Sequence, residues 1–196
     1  VMPALVSHIE HTRAVCDIRV VPLATRDPRA LLDRGDADVA IGQFSLPGDG
    51  TDGPICSKLL GESDYVCVMR EGHPLAAPEA RTLDGYCAAQ HLLVSLSGRG
   101  QGLVDRALDK IGRKRRVVLT VNQYFTAGRV VANSNLVSVL PAFFVESTGY
   151  REHIVTRPLP FELPKFDVSM WWHPRHDRLN SQQWLRERIA EAARIG

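Results

Sequence analysis

Ser95-Leu-Ser-Gly-Arg-Gly-Gln-Gly102 is the stretch whose residue types and spacing best suit a ligand. Its glycines let backbone N–H groups approach a bound molecule. Leu103, Val104, Ala107, Leu108 and Ile111 then follow helix spacing, so a helix N-terminus comes directly after the loop. Such a terminus favours an anion, for example a carboxylate. Ser95, Ser97, Arg99 and Gln101 are the candidate contacts; a plain surface turn is the competing reading. Asn122-Gln-Tyr-Phe125 is a second candidate, placed after the strand pattern Val117 to Val121. Tyr124 and Phe125 could stack on an aromatic ring while Asn122 hydrogen-bonds a polar substituent. Core packing of Phe125 competes with that role. Gln43 and Phe44 leave another strand pattern and are expected at a ligand, with loop packing as the alternative. Trp172 is weighed between ligand contact and a buried structural role.

Other chemistries find no support. Gly98-x-Gly-x-Gly102 is not a dinucleotide fingerprint, and no Gly-Lys-Ser/Thr follows it. No Gly-x-Ser-x-Gly elbow suggests a serine hydrolase. The histidines form no His-Glu-x-x-His motif, and Cys16, Cys56, Cys67 and Cys87 include no Cys-x-x-Cys pair. Catalytic residues, metal ligands and a cofactor are therefore not expected. Asp33, Asp36 and Asp38 are read as turn and strand residues. Arg113-Lys-Arg-Arg116 reads as a solvated turn between a helix end and a strand, where cations suit the helix dipole. A net charge of +2 gives no strong electrostatic footprint for nucleic acid. No segment approaches the ~18 apolar residues of a membrane span, and no signal peptide pattern is present. The four free cysteines suit the cytoplasm.

The elements that must position these residues alternate. Met2, Leu5, Val6 and Ile9 share a helical face. Asp17 to Val21 reads as a strand, Pro28 to Arg34 as a short helix, and Val39 to Ile41 as a strand covered on both faces. Gly35, among Asp33 and Asp36, suits a turn with positive φ. Pro54 to Leu60 and Ser63 to Met69 are extended. Thr82 caps a short helix, His91 to Ser95 is a strand, Thr126 to Ala132 a helix, and Leu136 to Leu140 a strand. Pro141 opens a helix. Three prolines exclude regular structure from residues 157 to 165. Val168 to Trp172 is a strand, and Asn180 with Gln183 forms a capping box for the last helix. This alternation predicts an α/β protein with a mostly parallel sheet. Breaks divide it into two lobes, 1–71 with 169–196 and 72–168, with a ligand cleft between them. The chain opens directly into a helical pattern and is expected to be a fragment of a longer protein.

Four segments in this order resemble the effector-binding domain of LysR-type transcriptional regulators. They are Gly35-Asp-Ala-Asp-Val-Ala-Ile-Gly42, Glu71-Gly-His-Pro-Leu-Ala76, Val130-Val-Ala-Asn-Ser-Asn-Leu-Val-Ser-Val-Leu-Pro141, and Trp172-His-Pro-Arg with Trp184-Leu-Arg. The last is similar to members that respond to aromatic acids or flavonoids. Asn133-Ser-Asn135 replaces the family's usual glycines. The resemblance implies two Rossmann-like lobes with mixed sheets joined by two crossovers, as in type 2 periplasmic binding proteins. It implies a small organic acid, aromatic acids included, bound between the lobes without chemistry. It implies signalling to an N-terminal winged helix-turn-helix outside this chain, which alone would contact DNA. It also implies a homodimer, with the Pro3–Arg13 helix of one subunit against the Thr126–Ala132 helix of the other, and a tetramer as an option for the full-length regulator. Val6, Ile9, Val130 and Val131 would supply apolar contacts there. A periplasmic-type solute-binding protein is the alternative reading.

Overall fold

A computed structural model describes residues 1–12, 14–23, 27–44, 54–80, 82–95, 98, 100–101 and 102–193. Among these it separates two compact units, 1–62 with 167–196 and 63–166. The chain thus crosses at 62/63 and 166/167, not at 71/72 and 168/169. The physical reason is strand Tyr65–Arg70 (β3), whose neighbours all lie in the second unit.

The second unit is organised around β3. It pairs antiparallel with Ser138–Pro141 (β6) on one edge and Ile154–Arg157 (β7) on the other. Strand alternation sends Val68 to one face and Cys67 and Met69 to the other, and all three are buried. Val68 packs with Leu92, Leu140 and residues of helices Tyr124–Ala132 (α5) and Ala142–Ser147 (α6). Cys67 and Met69 pack with Tyr86 of helix Leu83–Ala88 (α3) and with Val104 and Leu108 of helix Leu103–Lys110 (α4). Helices cover both faces, so the strand reads as a continuous apolar run. Gln90–Val94 (β4) and Arg116–Val121 (β5) pair in parallel. The Leu92 and Val137 main chains join β4 to the strand leading into β6.

In the first unit, helices Met2–Thr12 (α1) and Asn180–Ala193 (α7) meet over strand Phe166–Trp172 (β8) through Leu5, Ile189, Ala192 and Met170. β8 lies between Ala40–Gly42 (β1) and Cys56–Ser63 (β2). The short helix Arg29–Arg34 (α2) ends at Gly35 with φ +74°, the left-handed turn expected from its aspartate surroundings.

Several expectations need correction. The β4–β5 pairing is parallel, whereas β1–β8 and both β3 pairings are antiparallel, so the strand pairings are mixed. Asp17 to Val21 forms no strand: no described strand pairs with it, and Ile18 and Val20 are exposed. Ile41 is also exposed, because β1 is an edge strand with β8 as its one partner in the sheet. Asn180 lies inside α7; Gln183 donates its side-chain N–H to the Asp177 carbonyl instead of completing a capping box. Thr82 caps α3 as expected, accepting from Gly85 N–H at 3.0 Å. No helix among the described residues is long and apolar enough to cross a membrane.

Candidate functional site

The ends of β4 and β5 bring two candidate segments together. Ser95 follows β4, and its N–H donates to the Val121 carbonyl, 2.8 Å away, at the end of β5. Asn122 is the next residue and is exposed. Ser95 and Asn122 are therefore neighbours at the C-terminal ends of two parallel strands. In α/β sheets that edge is where loops present ligand-binding groups. Gln101 is exposed on the approach to α4. Ser97 and Arg99 lie outside the described residues.

The loop after β4 does not offer the open helix terminus that its glycines suggest. Gly98 N–H donates to the Ser95 carbonyl at 3.1 Å, with φ +70° at Gly98. Gly102 N–H donates to Asp105 Oδ2 at 2.6 Å. The protein's own carboxylate thus occupies the α4 N-terminus. Arg115 holds Asp105 through contacts of 2.7 and 3.2 Å, and its side chain is 1% exposed. Burial opposes ionisation of Asp105, but hydrogen bonds from Arg115 and Gly102 outweigh it and hold the carboxyl below its usual range. Arg115 also donates to the Tyr86 hydroxyl at 3.4 Å. The basic run is therefore solvated at Lys114 and Arg116 but not at Arg115. Arg113 pairs with Asp84 on the surface, and Arg115 is an internal brace.

The helix after β5 differs. Gln123 makes no side-chain cap at the α5 N-terminus. Tyr124 already stacks on Phe144, with centroids 4.3 Å apart and planes at 16°. One face of its ring is thereby covered. Phe125 is 53% exposed and meets Tyr150 edge-on, so it is not a core residue. Behind this turn Ala127, Gly128 and Val131 are fully buried and fix the helix.

In the first unit Gln43 and Phe44 are half-buried beyond β1. The Phe44 ring rests 5.0 Å from Trp171, which favours packing as its main role. Trp172 is committed within its own unit. Its indole N–H donates to Asp177 at 3.0 Å, and the Arg186 guanidinium lies 4.6 Å over its ring. Both His-Pro pairs serve turns. His73 and His173 each accept, through Nδ1, an N–H two residues on at 3.1 Å. His73 also reaches the Asn135 carbonyl, and Asn135 Oδ1 accepts two bonds from Arg70. Side-chain amides thus secure the turn where the family's glycines are replaced.

A buried titratable group escaped the sequence reading. His91 is fully buried beside Tyr86, donating from Nε2 to the Tyr86 carbonyl at 2.8 Å. Burial pushes its pKa down to about 4. Burial also pushes the Cys67 thiol up to about 12, which keeps it protonated and unreactive. The apolar flanks of His91-Leu-Leu-Val94 were the available signal. Among the described residues no cluster of His, Cys, Asp or Glu could hold a metal ion.

Comparison with known proteins places this geometry. The family model described as the LysR substrate binding domain matches residues 1–194. The chain is 28% identical over 186 residues to the HTH-type transcriptional activator NahR of Pseudomonas putida, covering 95% of this chain and 60% of NahR. It is 29% identical to the regulatory domain of MexT, a transcriptional activator in Pseudomonas aeruginosa. That match covers 97% of this chain and 90% of the other, with a TM-score of 0.77. The effector-binding domain of QuiR in complex with shikimate shares the fold, with a TM-score of 0.71 at 18% identity, covering 100% and 90%. The chain spans about half the length of the curated relatives it matches.

Proposed function

We propose, from the premise that this chain belongs to the LysR substrate binding domain family, that it senses a small organic acid and signals to a DNA-binding domain elsewhere in the same regulator. One observation carries the reading: Ser95 and Asn122 stand side by side at the open ends of parallel strands, next to an α5 N-terminus that no side chain caps. The α4 N-terminus holds Asp105, so α5 is the better terminus for an effector carboxylate. Asn122 would hydrogen-bond a polar substituent, and exposed Phe125 would cover an apolar or aromatic part. Gln101 is a secondary contact. Gln43 and Phe44 would contribute from the first unit, as the family resemblance implies for an effector held between the lobes. QuiR, whose effector-binding domain holds shikimate, is a precedent for the ligand class.

The domain would bind without catalysis, in a cytoplasmic regulator that pairs as a homodimer. Nothing favours the solute-binding alternative, since the named relatives are transcriptional regulators. The test is a thermal-shift screen of aromatic and aliphatic carboxylates, because a ligand of the native state raises apparent stability. Asn122→Ala should then weaken the best hit by about tenfold, the loss of roughly one hydrogen bond. Equal affinity in wild type, Asn122→Ala and Phe125→Ala would remove this site.

A further inference from the structure

The second unit carries another pocket, lined by residues of β3 and β7. The first residues of β3 and the end of β7 with the following chain line an open cleft of about 430 Å³. That volume is within the range of small-molecule sites. Tyr65 and Phe161 supply rings, and Leu159 and Leu163 supply aliphatic wall. Arg157 provides the cation. Its Nη1 donates to the Thr156 carbonyl at 2.8 Å and its Nε to the Ala76 carbonyl at 3.4 Å. These two contacts orient the guanidinium, yet among the described residues no carboxylate forms an ion pair with it. A half-buried cation held only by neutral carbonyls has lost hydration without gaining a counter-charge. Arg115, by contrast, is matched to the acid Asp105.

We propose that this pocket binds a small aromatic monocarboxylate, with Arg157 as its anion partner. The planar guanidinium suits a carboxylate, and the two rings and two leucines suit an arene. Asp64 also lines the pocket. Its charge disfavours a second anionic group on the ligand, which selects monocarboxylates over dicarboxylates and phosphates, and it can accept a hydrogen bond from a ring hydroxyl. The site is separate from the effector contacts at Ser95 and Asn122 and stands whether or not that reading holds.

Amide NMR of the 196-residue chain titrated with benzoate tests it. The Tyr65, Leu159 and Phe161 amides should shift saturably. Arg157→Gln should weaken that binding by about tenfold or more, since a charge-assisted pair is lost. Leu163→Trp, which fills the pocket and keeps the charge, should block it. Benzyl alcohol, with the same ring and no charge, should bind much more weakly than benzoate. Asn122→Ala should leave these shifts unchanged. Shifts confined to the Ser95–Phe125 region would overturn the pocket while supporting the effector site. Equal affinity for benzoate and benzyl alcohol, or loss of the pocket shifts in Asn122→Ala, would overturn it as well.

Discussion

Protonating His91 inside the folded chain is costly, and that cost sets a pH dependence. Its ring is fully buried against Tyr86, and its pKa falls from 6.5 to about 4. The unfolded chain therefore binds the proton more readily between those values. Stability from this residue is complete above about pH 6.5 and is lost as pH falls toward 4. At pH 4.5 the loss relative to pH 7.5 should be about 2–3 kcal/mol. His73, also held low mainly by burial, adds in the same direction. Urea unfolding of wild type and His91→Gln at both pH values isolates the contribution, and parallel pH slopes would refute it. At this scale the sequence was least informative. Arg113 and Arg115 have the same residue type two positions apart, yet one pairs on the surface and the other braces Asp105 inside. Only the fold decides which arginine faces inward.

Elements were legible where the signal is local. α1, α4, α5 and α7 appear within a few residues of their expected spans because helical periodicity is carried by neighbours in sequence. Thr82 and Gly35 announced their turns through their own chemistry. Asp17 to Val21 failed because a strand needs a partner, which composition does not reveal. β7 was missed because four residues between a turn and a proline segment carry almost no pattern. One element contact has a sharp consequence. A Cβ at Gly128 would lie 2.4 Å from the Thr148 Cβ, and Thr148 is itself fully buried in a turn that closes α6. Alanine is intrinsically the better helix former by about 1 kcal/mol, but a contact this short forces α5 and α6 apart. Gly128→Ala should therefore destabilise the domain by about 1–3 kcal/mol in urea unfolding. A variant as stable as wild type would show that α6 yields freely.

At the scale of the whole molecule, the expected dimer helices can be separated into surface and core. Val131 is fully buried in the second unit and so is not available to a partner, whereas Ile9 is partly buried and packs one side against the core of the first. On α1, Val6 is 45% exposed and Met2 37%, and Val130 of α5 is half-buried. Breaks between alternating elements suggested the two lobes and the family resemblance the dimer helices, whereas which side chain on each helix is free depends on packing that no motif records. If α1 meets α5 of a second copy, Val6 is the residue that a charge would disturb without touching the core. Val6→Glu should shift sedimentation toward monomer and leave the urea midpoint of the domain within about 0.5 kcal/mol of wild type, as for surface substitutions. Ile9→Glu should shift sedimentation and lower stability together, because the charge enters an apolar cluster. A wild-type sedimentation profile for Val6→Glu would exclude α1 from the interface. A parallel loss of stability in both variants would instead make α1 part of the folding core and not a docking surface.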